Sequence, residues 1–372
     1  NDKQFTDAIK DYTNPDGSDL DWFLSRLFES LDTKDEDESS LSAPFTDFPY
    51  VNGTIFDTSR HDIAVPKFNA QARYLLLQCG ARDWSNINPD IFGTMFQGIV
   101  DPEKRSENGM DYTSVPNIMK VIQPLFLDEL KEEFEKYQDN ESKLWQLLRR
   151  ISDIKVFDPA CGSGNFLIIS FKQLRTLQYE ILEQIDLLRP SGINKDSLKE
   201  TQLIGINNFY GIEIDDFAHE LAVLSLHIAH QQMNAEFSNS FGISFPIIPL
   251  IDAPHIVCAN AARINWQDVC PNKPKPSNKP VISGTMSLLN DQMPDYSMGV
   301  EQVAEYDEIY LIGNPPYKGA KLQTKQQKAD LQSIFSTDEK YSKNLDYISI
   351  WFIKGARYIS GTKARLAFVS TN

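Results

Sequence analysis

The sequence has few of the features that mark secreted, membrane or metal-binding proteins. Its 372 residues include four cysteines, and no two of them have the C-x-x-C spacing of a zinc or redox site. Scattered cysteines are typical of the reducing cytoplasm, where disulfides are rare. No apolar run is long enough to cross a membrane, and no signal peptide is evident. We therefore expect a cytoplasmic protein without a disulfide framework, a metal site or a membrane span.

The chain also lacks an overall excess of basic residues, because 36 Lys and Arg stand against 52 Asp and Glu and the net charge is −16. That balance disfavours a nucleic-acid partner, but the distribution of charge favours one. From Asn314 onward the net charge is +6, which leaves −22 for the preceding 313 residues. This positive sector begins with Lys318, Lys321, Lys325 and Lys328, and phosphates are attracted to such a sector. A solvated polar loop is the alternative.

Two common nucleotide-binding motifs are absent. The dinucleotide pattern G-x-G-x-x-G fails because Leu167 stands at its third glycine, and no phosphate-binding G-x-x-x-x-G-K-[ST] loop occurs. The loop Phe157–Phe166 instead joins a predicted strand to a predicted helix. Its Gly162 and Gly164 permit tight turns and leave room for a ligand against the main chain.

The chemistry of this loop favours an amino acid as ligand. The amino end of the helix favours an anionic group such as a carboxylate. Asp158 adds a negative charge, which repels phosphates and attracts an ammonium group. A cofactor with both an amine and a carboxylate therefore fits better than a dinucleotide, and an ordinary tight turn is the alternative.

An acidic residue, Glu213, lies at the end of the next predicted strand. A carboxylate at that place can accept hydrogen bonds from both hydroxyls of a ribose. Glu213 lies 55 residues after Asp158, so an insertion at 190–208 is required. The alternative is a charge at a helix amino terminus, although Asp215 or Asp216 fits that role better.

The most informative stretch is Asn314-Pro315-Pro316-Tyr317, which follows the apolar run Ile309–Gly313. The run predicts a buried strand, and open parallel sheets bind ligands at the carboxyl ends of their strands. An amide, two ring-constrained carbonyls and an aromatic ring suit the binding of a planar amine whose nitrogen reacts. Asn-Pro dipeptides also mark turns, which is the alternative when the stretch is taken alone.

Apolar periodicity divides the chain into two regions. Residues 1–105 are predicted to be mostly helical, and strands alternate with helices over 106–372, which predicts a mainly parallel α/β sheet with helices on both faces. The predicted strands are 154–157, 209–214, 256–259, 309–313 and 364–369. The predicted helices are 20–31, 68–79, 90–100, 115–137 with an interruption at Pro124, 165–188, 216–233 and 348–358. We expect an irregular Pro-rich loop at 270–276 and a basic loop after residue 317. Because the last strand nearly reaches the end of the chain, we also expect a fragment of a longer protein.

Taken together, these motifs resemble those of the class I S-adenosylmethionine-dependent DNA adenine-N6 methyltransferases. Asp158–Phe166 is similar to their motif I, Glu213 to motif II and Asn314–Tyr317 to motif IV; weaker similarities to motifs X, V and VI occur at 110–122, 346–356 and 364–372. This order is that of the gamma class. It implies a Rossmann-like methyltransferase core at 106–372, S-adenosyl-L-methionine as cofactor, double-stranded DNA as partner, and a target-recognition domain on the carboxyl side that is missing here.

The resemblance also implies roles for individual residues. The Asn314 oxygen and the Pro315 carbonyl would accept the two amine hydrogens of an extruded adenine, and Tyr317 would stack on its ring. The catalytic residues implied are Asn314, Pro315, Pro316 and Tyr317. The cofactor-binding residues implied are Tyr112, Thr113, Asp158, Pro159, Ala160, Gly162, Gly164, Phe166, Glu213, Ile214 and Asn260. No metal is implied. Motif III departs from the family pattern, in which an acidic residue is usual after the third strand. Asn260 or Asn265 stands in that place in this chain, and Asp268 is a less direct candidate.

Residues 48–53 and 91–102 are further similar to the helical spacer of MmeI-like type IIL restriction-modification enzymes, in which a nuclease domain precedes the spacer. No nuclease carboxylate–lysine cluster is evident in this chain, so cleavage is not predicted, and a nuclease domain would belong to the full protein.

Two other functions stay open. One is methylation of another planar nitrogen, such as a protein glutamine. The other is a cofactor-binding module that is inactive without its recognition domain. His227 and His230 are interpreted as a half-buried pair rather than metal ligands.

Overall fold

The computed structural model describes residues 3–33, 42–48, 50, 56, 65–83, 87–89, 91, 93, 95, 113–189, 204–242, 254–272, 275–282, 298–335 and 344–370. The strands are β1 (Lys155–Asp158), β2 (Phe209–Glu213), β3 (His255–Cys258), β4 (Lys275–Ile282), β5 (Met298–Glu305), β6 (Ile309–Gly313) and β7 (Arg365–Phe368). The described α-helices are α1 (Gln4–Tyr12), α2 (Leu20–Asp32), α3 (Ala70–Gly80), α4 (Val115–Ile122), α5 (Asp128–Lys136), α6 (Glu141–Asp153), α7 (Asn165–Leu188), α8 (Asp216–Phe241), α9 (Trp266–Val269), α10 (Lys325–Ile334) and α11 (Ser349–Ile359). None of them is long and apolar enough to cross a bilayer.

Five strands form one parallel sheet in the order β3-β2-β1-β6-β7. The chain moves outward from β1 to β3 and then crosses back to place β6 beside β1. Val156 of β1 consequently pairs with Phe209 on one side and with Tyr310 on the other. This reversal creates a topological switch point between β1 and β6, and open α/β sheets bind ligands outside the carboxyl ends of the strands at that point.

Helices cover both faces of this sheet, as the apolar strand sequences predicted. On one face, strand residues such as Val156, Phe209 and Ile312 share a buried cluster with α7 and α8. On the other, Phe157 and Leu311 share a second cluster with α11. Every residue of β2 and β6 is buried. The predicted α/β class with a parallel, doubly covered sheet is therefore confirmed.

The first three helices have a small core of their own, formed around Ile9, Phe23, Leu27 and Phe45. This agrees with the mostly helical character predicted for the amino-terminal region. The boundary predicted at residue 105 falls within 96–112, outside the described residues. The helix predicted at 90–100 is described only at residues 91, 93 and 95, which are helical.

Three local predictions need comment. The interruption at Pro124 is confirmed, since α4 ends at Ile122 and a π-helical turn at Gln123–Leu127 precedes α5. The irregular loop at 270–276 is partly wrong, because β4 begins at Lys275 and pairs antiparallel with β5; in a two-stranded ribbon both strands are edges, where proline is tolerated. The prediction of a basic loop after residue 317 is also partly wrong, because residues 325–334 form α10.

Candidate active site

The predicted cofactor loop and the Asn-Pro-Pro-Tyr stretch lie side by side at the carboxyl edge of the sheet. Gly313, the last residue of β6, has a φ of +148°, and a Cβ at this position would collide with Oδ1 of Asp158, the last residue of β1. Only glycine allows both this conformation and this close approach. The residues that follow β1 and β6 therefore meet at the switch point.

The loop after β1 is held in place by Glu213, the last residue of β2. Gly162 and Gly164 have φ values of +54° and +85°. The Gly162 amide donates to Oε2 of Glu213 at 2.8 Å. A Cβ on Gly162 would find no atom within 4 Å, whereas one on Gly164 would lie 3.1 Å from the Ala222 Cβ on α8. Gly162 is thus open to a ligand, and Gly164 is needed for packing against a helix.

Glu213 is a buried carboxylate that accepts hydrogen bonds from the protein itself. Besides the Gly162 amide, the Asp215 amide donates to its Oε1 at 2.9 Å. Burial raises the pKa of Glu213, while these backbone hydrogen bonds oppose the rise. Each carboxylate oxygen keeps a further lone pair. Glu213 can therefore position the loop and still accept from a hydroxyl.

Asp158 is only 1% exposed and is less well satisfied. Its Oδ1 accepts from the Ala160 amide at 3.0 Å, and its Oδ2 has no hydrogen-bond partner among the described residues. Burial, to which the nearby charge of Glu213 adds, raises the pKa of Asp158 to about 8. A buried carboxylate oxygen without a donor is costly. A cationic ligand would remove this cost.

Both segments line one cavity of about 590 Å³, a size that suits a small-molecule cofactor. The predicted site residues in its lining are Thr113, Asp158, Pro159, Ala160, Gly162, Phe166, Glu213, Ile214, Asn260, Asn314 and Pro316. Gly164, Pro315 and Tyr317 do not contribute to the lining. Tyr112 lies outside the described residues.

The Asn314 amide is oriented by two hydroxyl groups. Its Nδ2 donates to Oγ1 of Thr113 at 3.1 Å, and its Oδ1 accepts from the Tyr317 hydroxyl at 3.0 Å. An amide oxygen has two lone pairs, so Oδ1 can accept one more hydrogen bond. Thr113 was predicted as a cofactor contact; its observed contact is with Asn314.

Sequence analysis did not identify Asp330 as a site residue. It lies on α10, is 5% exposed and lines the cavity. Asp330 accepts from Arg263 Nε at 2.9 Å and from the Tyr347 hydroxyl at 3.0 Å, and Asn260 Nδ2 lies 3.5 Å from its Oδ2. A carboxylate thus lies beside the loop after β3, where the motif itself has none. No sequence signal links positions 70 residues apart.

The other two candidates for motif III do not line the cavity. Asn265 caps α9, where its Oδ1 accepts from the Gln267 amide at 3.2 Å. Its Nδ2 donates to Asp268 at 3.1 Å. Both side chains are therefore engaged in starting a short helix, and of the three residues considered Asn260 alone faces the cavity.

Helix α11 fixes two of the site loops. Trp351 Nε1 donates to the Pro159 carbonyl at 3.1 Å. Lys354 Nζ donates to the carbonyls of Ala261 and Ile264, each at 2.6 Å, and burial lowers the pKa of Lys354 to about 8. This lysine of the positive sector therefore binds protein carbonyls.

The four lysines predicted to meet DNA are close in the chain to residues that line the cavity. Thr324 and Gln327, which form the capping box of α10, line the cavity themselves. Lys325 and Lys328 are on the first turn of that helix and are exposed, as is Lys321. Lys318 is half-buried.

The two histidines singled out by the sequence lie on α8 and are more buried than predicted, at 7% and 9% exposure for His227 and His230. The His230 ring packs edge-on against Phe171, with centroids 5.9 Å apart, and its Nε2 lies 3.4 Å from Asn234 Nδ2. These contacts are those of packed core histidines.

The sequence is similar to known proteins over nearly all of its length. Residues 134–372 match the family described as "MmeI, DNA-methyltransferase domain", and residues 1–56 match "MmeI, helicase spacer domain". DNA methyltransferase A of Bacillus subtilis (strain 168) is 44% identical over 370 residues, which are 99% of this chain and 37% of that protein. The type IIL restriction-modification enzyme MmeI, solved in complex with DNA, matches with a TM-score of 0.79 and 36% identity, over 99% of this chain and 44% of that one. The chain thus spans less than half the length of either relative.

Proposed function

Because this chain belongs to the MmeI DNA-methyltransferase domain family, we propose that it transfers a methyl group from S-adenosyl-L-methionine to the N6 amine of adenine in double-stranded DNA. It would do so as part of a restriction-modification enzyme. The observation that carries the proposal is that the loop after β1 and the Asn314 amide line a single cavity at the switch point. A methyl donor and a planar amine can therefore be bound next to each other.

The residues of the cavity fit this cofactor. Asp158 Oδ2 has no donor in the described part of the chain and would accept from the cofactor ammonium. The amino end of α7, which begins at Asn165, favours the carboxylate. Glu213 keeps lone pairs for ribose hydroxyls, and Asn260 faces the cavity from the loop after β3. When bound, S-adenosyl-L-methionine supplies an electrophilic methyl carbon on its sulfonium group.

The exocyclic nitrogen of adenine is a poor nucleophile because its lone pair is delocalised into the ring. Asn314 Oδ1 and the Pro315 carbonyl would each accept one amine hydrogen, which favours a pyramidal nitrogen with an available lone pair. Thr113 orients the amide for this task through its hydrogen bond to Nδ2. As the nitrogen forms its bond to the methyl carbon, the carbon–sulfur bond would break to leave a neutral thioether, and the methylated amine would lose one of its two hydrogens to water as a proton. Positioning and fixed dipoles would supply most of the rate, so no side chain has to act as a base.

The adenine must leave the duplex to reach this cavity, at a cost of a few kcal/mol. The exposed Lys321, Lys325 and Lys328 would attract phosphates and offset part of that cost. Sequence selection would come from a target-recognition domain joined to the carboxyl side of this core. DNA cleavage is not part of the proposal.

The test is methyl transfer from labelled S-adenosyl-L-methionine to duplex DNA by the full-length protein. Asn314→Ala should lower the rate about 100-fold or more, because a group that acts on the reacting atom is lost, and should leave cofactor affinity unchanged. Asn265→Ala is the matched control, since that exposed asparagine caps α9 outside the cavity, and it should keep the parent rate.

Each other outcome has a definite meaning. Retained methylation by the Asn314→Ala variant refutes the role of that amide. Label found on a protein glutamine and absent from DNA would support that alternative substrate. Cofactor binding without any transfer by the parent protein would leave only a cofactor-binding module.

A further inference from the structure

Leu322 is an exposed apolar side chain on a loop whose neighbouring residues line the active-site cavity. Its side chain is 71% exposed. It lies on the loop between Pro316 and Thr324, and both of these residues line the cavity. The seven intervening residues therefore begin and end at the cavity, and Leu322 is two positions before Thr324 in the lining.

The loop presents Leu322 in a fixed way. The next residue, Gln323, is buried, and its Nε2 donates to the carbonyls of Lys318 and Leu345 at 2.8 and 2.9 Å. The Leu322 amide donates to the Gly319 carbonyl at 2.8 Å, which closes a tight turn. The base of the loop is therefore anchored to the protein, while the leucine points away from it.

A single exposed leucine is common on protein surfaces and needs no explanation by itself. The surroundings of this one are specific. Lys321 precedes it, and Lys325 and Lys328 follow on the first turn of α10, all exposed. Cations around an apolar tip match a DNA duplex, whose phosphates flank an apolar base stack.

We propose that Leu322 inserts into the base stack beside the target adenine and occupies space that the extruded base leaves. This inference rests on the proposed function. Apolar side chains that wedge between base steps unstack them, and extrusion of a base requires that unstacking. A leucine fixed on an anchored turn can do so without ordering a flexible loop first.

The test compares Leu322→Ala with Leu187→Ala in the full-length protein. Leu187 is 78% exposed and lies at the end of α7, which runs from the site to the opposite edge of the sheet. The first substrate is a fully base-paired duplex that contains the site at which the parent protein methylates adenine. The second carries the target adenine in a mismatch, which makes extrusion easier.

On the matched duplex, Leu322→Ala should methylate about tenfold more slowly than the parent, and on the mismatched duplex within about twofold of it. With 2-aminopurine as the target base, its fluorescence increase on binding should fall in parallel. Leu187→Ala should equal the parent on both substrates.

Two results would overturn the inference. One is a parent-like rate of Leu322→Ala on the matched duplex. The other is an equal loss on both duplexes, which would assign Leu322 to a contact with another part of the protein or to general DNA docking. If the parent methylates no DNA, the proposed function fails, and that failure is distinct from either result.

Discussion

Charged side chains are paired at the amino edge of the central sheet, where the strands begin, and differ in this respect from those at the carboxyl edge, where the strands end. At the amino edge, Arg150 donates to Glu129 at 2.6 Å and to Glu308 at 2.8 Å, and Lys155 Nζ lies 2.7 Å from Asp307. These contacts join α5 and α6 to the first residues of β1 and to the residues before β6. Opposite charges there neutralise each other within the protein.

At the carboxyl edge, the structure describes no ion pair for Asp158 or Glu213. Both are buried, and burial raises the pKa of each. The amino edge is thus complete without a ligand, whereas the carboxyl edge contains buried acidic groups with which a bound cation would pair. The comparison separates residues that stabilise the fold from residues that bind a ligand.

The largest effect is expected from Asp158→Asn. The isosteric amide cannot pair with the cofactor ammonium, so the Kd for S-adenosyl-L-methionine should rise about 100-fold, as when one partner of a buried charge pair is removed. Isothermal titration calorimetry measures this rise in Kd.

Proton release on binding should distinguish the two proteins as well. Because the pKa of Asp158 is about 8, binding of the cofactor at pH 7 should release a proton from the parent protein and none from the variant. Calorimetry in buffers of different ionisation enthalpy detects this difference.

The same substitution should increase the free energy of unfolding, although it weakens cofactor binding. The folded pKa of Asp158 lies above the usual value of about 3.9 for aspartate, so the folded state binds the proton more tightly than the unfolded chain does. The free energy of unfolding contributed by this group is then lost as pH rises from about 4 to about 8. Asp158→Asn should therefore gain stability relative to the parent over that window in urea titrations. An unchanged Kd in this variant would contradict the assignment of Asp158 as a ligand.

Arg150→Met, at the amino edge, should instead lower the free energy of unfolding and leave cofactor affinity nearly unchanged. It leaves Glu308 without its cation, while Glu129 keeps Arg365 at 2.6 Å. The free energy of unfolding should fall by about 2 kcal/mol, less than for a fully buried pair because Arg150 is partly exposed. Urea unfolding measures this loss. The Kd for S-adenosyl-L-methionine should stay within about twofold of the parent value; a large change would show that the two edges are coupled.

The smallest effect is expected from Asp330→Asn, because Asp330 is an acidic residue of the carboxyl edge that already has partners in the protein. Asp330 lies at the carboxyl edge but is already paired with Arg263 and Tyr347. Because the Arg263 side chain is 45% exposed, solvent screens this ion pair, and the variant should lose less unfolding free energy than Arg150→Met. Cofactor affinity should change less than about threefold. A loss as large as that of Asp158→Asn would make Asp330 a ligand group rather than a support for the loop after β3.

Local sequence predicted much of this architecture. The helix predicted at 165–188 has those bounds as α7, and the strand predicted at 309–313 is β6. Both are long or continuous apolar patterns that one type of element satisfies. Sequence analysis was less successful where pairing or capping decided the outcome, as at β4 with its prolines and at α10, whose Thr324–Gln327 capping box lies within a polar stretch.

The sequence alone determined the chemistry offered at the ends of β1, β2 and β6, because a glycine-rich turn and an Asn-Pro-Pro-Tyr stretch are local patterns. Tertiary structure decided which distant residues complete the site. Thr113 reaches Asn314 across 201 positions, and Asp330 reaches Asn260 across 70. The physical reason is the crossover that returns the chain from β3 to the far side of β1: it places β6 and the helices after it around the same edge of the sheet, and no periodicity in the sequence records that return.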